Sequence, residues 1–159
     1  MEESIKRDMN DPELSPEGCL LALSAGEGVL SQEQLKHYSP LSFAYMGDAV
    51  YELLVRTKIV TRASTKPSRY HKEAVRYVKA AGQAELLDKI RPLLTGEETR
   101  IVKWGMNAKP ATVAKNQSRH DYRIATGLET LMGYLYLSGQ ADRLIRLVRQ
   151  GLSMIDPGD

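Results

Sequence analysis

Two segments far apart in the chain each place an acid inside an apolar helical stretch: Asp48 within Leu41-Ser42-Phe43-Ala44-Tyr45-Met46-Gly47-Asp48-Ala49-Val50-Tyr51-Glu52, and Glu129 within residues 122–137. A carboxylate on a packed surface must be protonated, paired with a base or bound to a cation, because burying it bare costs several kcal/mol or more. On a helix Asp48 and Glu52 stand one turn apart on a shared face, so one or both could project into a groove beside Glu129. Magnesium takes hard oxygen ligands, usually one or two carboxylates completed by waters and substrate phosphates. Such a site lowers the pKa of bound water and polarises a phosphodiester without a covalent intermediate. Asp48 and Glu129 are therefore candidate metal ligands. The competing reading pairs them with bases such as Arg56 or Arg123, and Glu52 followed four residues later by Arg56 is an ordinary helical ion pair. Spacing alone leaves both readings open.

Other chemistries find less support. The chain has no phosphate-loop sequence and no nucleophile-elbow pattern, and His37, His71 and His120 lie too far apart for ligand spacing. The single cysteine, Cys19, rules out an internal disulfide and a cysteine-based zinc cluster, and reads as a small buried hydrophobe. Tyr45, Tyr51, Tyr122, Tyr134 and Tyr136 fall in helical register and read as core aromatics with polar tips. Trp104 precedes a basic stretch and either pins it to the body of the protein, the favoured reading, or touches nucleic acid.

Charge is unevenly distributed. Residues 1–33 hold eight acids against Lys6 and Arg7, a net −6, whereas the rest of the chain holds twenty basic residues against twelve acids, a net +8. Between Arg56 and Arg123 sixteen basic residues face six acids, a local +10 suited to a polyanion. Charge does not by itself distinguish nucleic acid from an acidic protein.

The elements that must position these residues read as helices almost throughout. With 159 residues, 42% hydrophobic and 26% charged, the chain is about one domain with a sizeable core. No run is long and apolar enough to span a membrane and no basic-then-apolar leader precedes the domain, so a cytoplasmic protein is expected. Residues 1–16, with Pro12 and Pro16, read as a loosely ordered acidic tail before a helical domain over 17–159. A short helix is expected over 17–25. Ser31 and Gln34 have capping-box spacing, and Ser39-Pro40 starts a long helix to about Val60. Along it Leu41, Ala44, Tyr45, Ala49, Leu53 and Ile59 form a stripe that Met46, Val50, Leu54 and Val55 widen, which predicts a central helix buried on most sides. Pro67 opens a helix to about Ala81 with Arg69, Lys72, Arg76 and Lys79 on one face. Gly82 interrupts, and helix resumes from Gln83 to about Leu94. Thr95 and Glu98 form a second capping box before a helix ending at Met106. Residues 107–118 read as a basic loop, Ser118 caps a helix to Leu137, Ser138-Gly139 breaks it, and residues 140–155 close the chain with Arg143, Arg146 and Arg149 on one face. The expected fold is all-α, a single helical bundle.

The run Tyr45-Met46-Gly47-Asp48-Ala49-Val50-Tyr51-Glu52 resembles the Gly-Asp-Ala signature of the ribonuclease III endonuclease domain, and Glu129-Thr130-Leu131-Met132-Gly133-Tyr134-Leu135-Tyr136-Leu137 resembles its second acidic motif. Thr65-Lys66-Pro67 through His71-Lys72, Lys79-Ala80 through Gln83-Ala84-Glu85, and Gly105-Met106-Asn107-Ala108-Lys109 before Lys115-Asn116 also look like the short bacterial branch of that family, Mini-ribonuclease III, which lacks the appended double-stranded RNA-binding domain. The resemblance covers about residues 40–137. It implies a helical homodimer that binds double-stranded RNA across a basic valley and hydrolyses its backbone with magnesium, manganese being a possible substitute, to leave 5′-phosphate and 3′-hydroxyl ends. It also implies maturation of the 23S ribosomal RNA precursor, and leaves room for a ribosomal-protein helper. By motif position Asp48 and Glu129 are the catalytic metal ligands. The implied RNA-facing residues are Arg69, His71, Lys72, Arg76, Lys79, Asn107, Lys109, Lys115, Asn116 and Arg119, which would read shape and phosphates more than bases. Full-length members carry further acids where this chain has Ala44 and Thr126, so one principal metal site per subunit is expected.

Two functions of different class follow. One is a magnesium-dependent, double-strand-specific endoribonuclease; the other is a catalytically silent module of the same fold that binds structured RNA in a ribosomal or processing assembly. A third, blander reading is a helical dimer whose basic face binds an acidic protein.

Overall fold

The helix starts that are written in side chains are where the chain turns into helix. In the computed structural model, which describes residues 30–108 and 118–156, seven α-helices and no strand are found among the described residues. Ser31 caps α1 (Gln32–Leu35): its hydroxyl accepts the Gln34 N–H, and the Gln34 side chain accepts the Ser31 N–H at 2.8 Å. Ser39 caps α2 (Pro40–Arg62), with Pro40 in the first turn, where its missing donor costs nothing. Then come α3 (Pro67–Val78), α4 (Ala80–Ile90), a 3-10 turn at Arg91–Leu93, and α5 (Gly96–Met106), which the Thr95 and Glu98 capping box opens. Ser118 caps α6 (Arg119–Leu137), and α7 (Ala141–Ile155) closes the described chain after Gly139, whose φ of 79° marks the turn. The starts capped by Ser31, Ser39, Thr95 and Ser118 satisfy amide donors that a helix leaves orphaned, so local chemistry sets those four boundaries.

The all-α expectation is shown, but three local expectations are corrected. Helix α6, not α2, is central: it buries eleven residues where α2 buries six. The buried face of α2 is Phe43, Ala44, Gly47, Tyr51, Val55 and Ile59, while Leu41, Tyr45, Ala49 and Leu53 point outward. Tyr45, expected in the core, is 85% exposed. Apolar residues occur on both sides of α2, so periodicity could not say which side meets α6. The second correction concerns the join between α3 and α4. The break falls at Lys79, whose extended backbone (ψ 156°) caps both helices, and Gly82 lies inside α4. A Cβ on Gly82 would sit 2.1 Å from the Arg76 carbonyl oxygen, so this glycine permits a close approach and does not break a helix. The third concerns α7. Arg146 and Arg149 are exposed, but Arg143 turns inward to Glu98 and to the Leu93 carbonyl. The helix expected over 17–25, the tail over 1–16 and residues 109–117 of the basic loop lie outside the described residues.

Helices α2, α4 and α5 pack around α6, and α7 packs on α4 beneath them. Leu86, Leu87, Ile90, Leu128, Leu131, Met132, Leu135 and Leu147 form the fully buried centre. Tyr51 also lies in it and donates its hydroxyl to the Tyr77 carbonyl at 2.9 Å, tying α2 to α3. Trp104 stacks obliquely on Phe43 with ring centroids 6.0 Å apart, which ties α5 to α2.

Candidate functional site

Helices α2 and α6 touch backbone to backbone where the two acids stand. A Cβ on Gly47 would sit 1.7 Å from the Glu129 carbonyl oxygen, and one on Gly133 would sit 1.8 Å from the Phe43 carbonyl oxygen. Only glycine allows this separation, and the residue after Gly47 is Asp48. The close crossing therefore brings the Asp48 and Glu129 side chains together from segments eighty-one positions apart in the sequence.

Their environments differ. Asp48 is exposed and Glu129 half-buried. Burial pushes the Glu129 carboxyl up to about 7, an amide hydrogen bond from Gln83 works against that rise, and the neighbouring Asp48 charge adds to it. Asp48 is raised as well, first by burial and then by Glu52, while its contact with Glu129 pulls it down. Of the two, Glu129 is the carboxyl that keeps its proton to higher pH.

The alternative partners are engaged elsewhere. Arg56 donates to Glu52, with Nε 3.0 Å from the carboxylate. Arg123 donates to the Met106 carbonyl at 3.0 Å and to the Asn107 side chain at 3.3 Å. The pairing of Asp48 and Glu129 with either arginine is thus not what folding produces, and Glu52 takes the ion-pair role its spacing suggested. A pair of neighbouring acids raised first by burial suits a divalent cation, whose charge would favour their ionised forms. Among the described residues no cluster of three or more acids or histidines joins them. Ala44 and Thr126 add no ligand: both are buried, and Thr126 donates its hydroxyl to the Tyr122 carbonyl.

Sequence reasoning did not single out Gln83. Its side chain is buried, at 2% exposure, and its Nε2 donates to Glu129 Oε1 at 3.1 Å. Nothing in a lone glutamine marks it in advance; the contact exists only because α4 packs against α6.

The basic residues divide into groups. Arg69, Lys72 and Arg76 line an open groove of about 1000 Å³ between α3, the end of α2 and Asp156. Arg76 is already paired with Asp156 at 2.9 Å, and Arg69 lies 3.8 Å from Glu73, so part of that positive field is compensated locally. His71 faces away, into a smaller cleft beside Glu52 and Arg56. Lys79 is exposed at the junction of α3 and α4, off the helical face expected for it. Asn107 caps the end of α5 and Arg119 opens α6, both exposed on either side of the basic loop. Lys109, Lys115 and Asn116 lie outside the described residues.

Comparison with known proteins identifies the family and the fold. The family model for the ribonuclease III domain matches residues 41–140. The Mini-ribonuclease 3 of Thermoanaerobacter sp. (strain X514) is 44% identical over 128 residues, covering 80% of this chain and 90% of that protein. The Mini-ribonuclease 3 of Brevibacillus brevis is 43% identical over 118 residues, covering 74% and 88%. A crystal structure of a Fusobacterium nucleatum protein superposes with a TM-score of 0.69 at 26% identity, covering 76% of this chain and 97% of the other. Among the described residues no helix is long and apolar enough to cross a membrane.

Proposed function

The chain belongs to the ribonuclease III family of endoribonucleases, and on that premise we propose that it cleaves double-stranded RNA with magnesium held by Asp48 and Glu129, its substrate being the 23S ribosomal RNA precursor. The observation that carries this reading is the facing pair of carboxyls at the α2–α6 crossing, with Arg56 and Arg123 both committed elsewhere. When bound, magnesium, or manganese in its place, would polarise the scissile phosphate and make an attacking hydroxide from water. The protein's own part is to present two oxygen donors from rigid helices. The backbone contacts at Gly47 and Gly133 fix the spacing of those helices, so the donors need no reorganisation when the phosphate arrives.

Duplex RNA would be held by phosphate contacts. Arg69 and Lys72 on the α3 groove, Arg119 and Asn107 beside the basic loop, and Lys109, Lys115 and Asn116 within it are the residues we assign to that task. Arg76 and Lys79 would add to the field more than to direct contacts, since Arg76 is paired with Asp156. His71, which faces the Glu52 cleft, would contact RNA only at its margin.

A homodimer is part of this reading. The outward face of α2, with Tyr45, Leu53 and Leu41 exposed, continues into an apolar cleft lined by Met46, Val50, Leu144 and Ile145. Large contiguous apolar patches of this kind mark protein contacts, and a second copy would cover both halves symmetrically.

Cleavage of a labelled RNA duplex by the wild type, Asp48→Asn and Glu129→Gln, with duplex binding followed in calcium, tests the proposal. Cleavage by the wild type alone, with binding by all three, is the expected result. Binding by all three with cleavage by none would make the protein a silent RNA-binding module.

A further inference from the structure

We propose that Gln83 is a positioning residue for Glu129, a neutral amide that fixes the ligand carboxylate without competing for its charge. The inference rests on the metal-site reading of Asp48 and Glu129. Glu129 has a fixed backbone, since its carbonyl abuts Gly47, but its carboxyl keeps the freedom of its own side-chain torsions. The contact that removes that freedom is the 3.1 Å hydrogen bond from Gln83 Nε2 to Oε1. An ionised carboxylate only accepts, so the NH2 end of the amide must face it. Bound in this way at one oxygen, Glu129 keeps its other oxygen for a cation.

The location of Gln83 makes the contact rigid. It lies in the first turn of α4, where its N–H donates to the Lys79 carbonyl at 3.0 Å. Its neighbour Gly82 lets that turn press against the Arg76 carbonyl, so α4 has no room to slide toward α3. A buried polar side chain is costly unless it is partnered, and no buried side-chain polar atom among the described residues lacks a partner.

The residue type is also informative. A lysine or arginine at this position would satisfy Glu129 as an ion pair and stand where a metal's charge is needed. A leucine would leave the carboxylate unheld, and a glutamate would add a third negative charge. Glutamine alone among these supplies a donor while leaving the charge of the site unchanged, which is the task of an outer partner to a metal ligand.

Gln83→Met keeps the volume and deletes the donor. Loss of an outer partner of this kind commonly costs 10- to 100-fold in metal affinity or activity, so the magnesium concentration for half-maximal duplex cleavage should rise about tenfold or more. Manganese binding to the RNA-free protein, read by electron paramagnetic resonance, should weaken to match, while duplex affinity in chelator stays within about twofold. Gln83→Asn, which keeps the amide but withdraws it by one methylene, should fall between the wild type and Gln83→Met in metal affinity; a purely structural role would instead lower the melting temperature and leave metal affinity alone. Unchanged metal requirement and unchanged manganese binding in both variants would overturn the assignment. Failure of the wild type to cleave any duplex would overturn the nuclease reading, and the manganese comparison would still decide the role of Gln83.

Discussion

The Glu129 carbonyl oxygen lies where a Cβ on Gly47 would come within 1.7 Å of it. Helices α2 and α6 are thus in backbone contact one residue away from Asp48, and the site's spacing and the core's packing are the same structural fact. Gly47→Ala should therefore destabilise the fold by more than about 3 kcal/mol, the upper end for overpacking, because the obstacle is backbone and not a side chain that can turn aside. Gly96, with nothing within 4 Å of its Cβ position, is the control: Gly96→Ala at the start of α5 should be neutral or stabilising by up to about 1 kcal/mol. Urea unfolding of the two variants checks the contrast.

The carboxyl pair predicts an unusual pH dependence in the metal-free protein. Glu129 titrates near 7 when folded and in the ordinary glutamate range when unfolded, so between those values the unfolded chain gives up a proton that the folded chain keeps. Stability should therefore fall as pH rises from about 4.5 toward 7, by at most about 1.4 kcal/mol per pH unit. Glu129→Gln should flatten that slope. Melting temperatures in chelator between pH 5 and 8 give the test; an equal slope in both proteins would refute a raised Glu129 carboxyl.

Glu98 and Arg143 predict the opposite sign. Burial pushes the Glu98 carboxyl up, but hydrogen bonds from Arg143 at 2.8 and 3.0 Å and from the Thr95 backbone outweigh it and hold the carboxyl below its usual range. Stability from this pair is present above the ordinary glutamate pKa and is lost as pH falls through the lowered folded value. Arg143→Met would leave Glu98 buried without its cation at a cost of about 3 kcal/mol, and acid unfolding should then begin at higher pH. A pH series of thermal melts would show the shift.

Exposed Tyr45 and the apolar cleft beside it predict how the protein associates. Tyr45→Asp places a charge at the centre of that face and should convert a dimer to a monomer without loss of helix, because the side chain makes little contact within its own chain. Sedimentation velocity with circular dichroism distinguishes this from unfolding, and a wild-type monomer at micromolar concentration would reject the dimer.

Lys72 is exposed on the α3 groove, and no acidic partner is found for it among the described ion pairs. Lys72→Ala should weaken duplex binding and reduce its salt slope by roughly one if the lysine meets a phosphate. Arg76→Ala, which also breaks the pair with Asp156, should cost folding stability as well as affinity. Binding isotherms across a salt series separate the two effects.

Much of this protein could be read from its sequence because the relevant physics is local. Ser31, Ser39, Thr95 and Ser118 each cap a helix through bonds that span three residues, and those starts match the structure. Two acids in apolar helical runs likewise marked a candidate site, since a carboxylate in such a run must find a proton, a base or a cation. What tertiary structure decided is which surfaces meet. Helix α2 has apolar residues on both flanks, and only the glycine contact with α6 turned Phe43 and Tyr51 inward and Tyr45 outward. Arg56 and Arg123 could have neutralised the acids, but the packing of α5 and α6 gave Arg123 to Met106 and Asn107, and the single turn separating Glu52 from Arg56 joined those two. Gln83 lies in a family-like stretch, but nothing local ties it to Glu129; it reaches that carboxyl across forty-six positions because α4 lies against α6, a relation that exists only once the helices have packed.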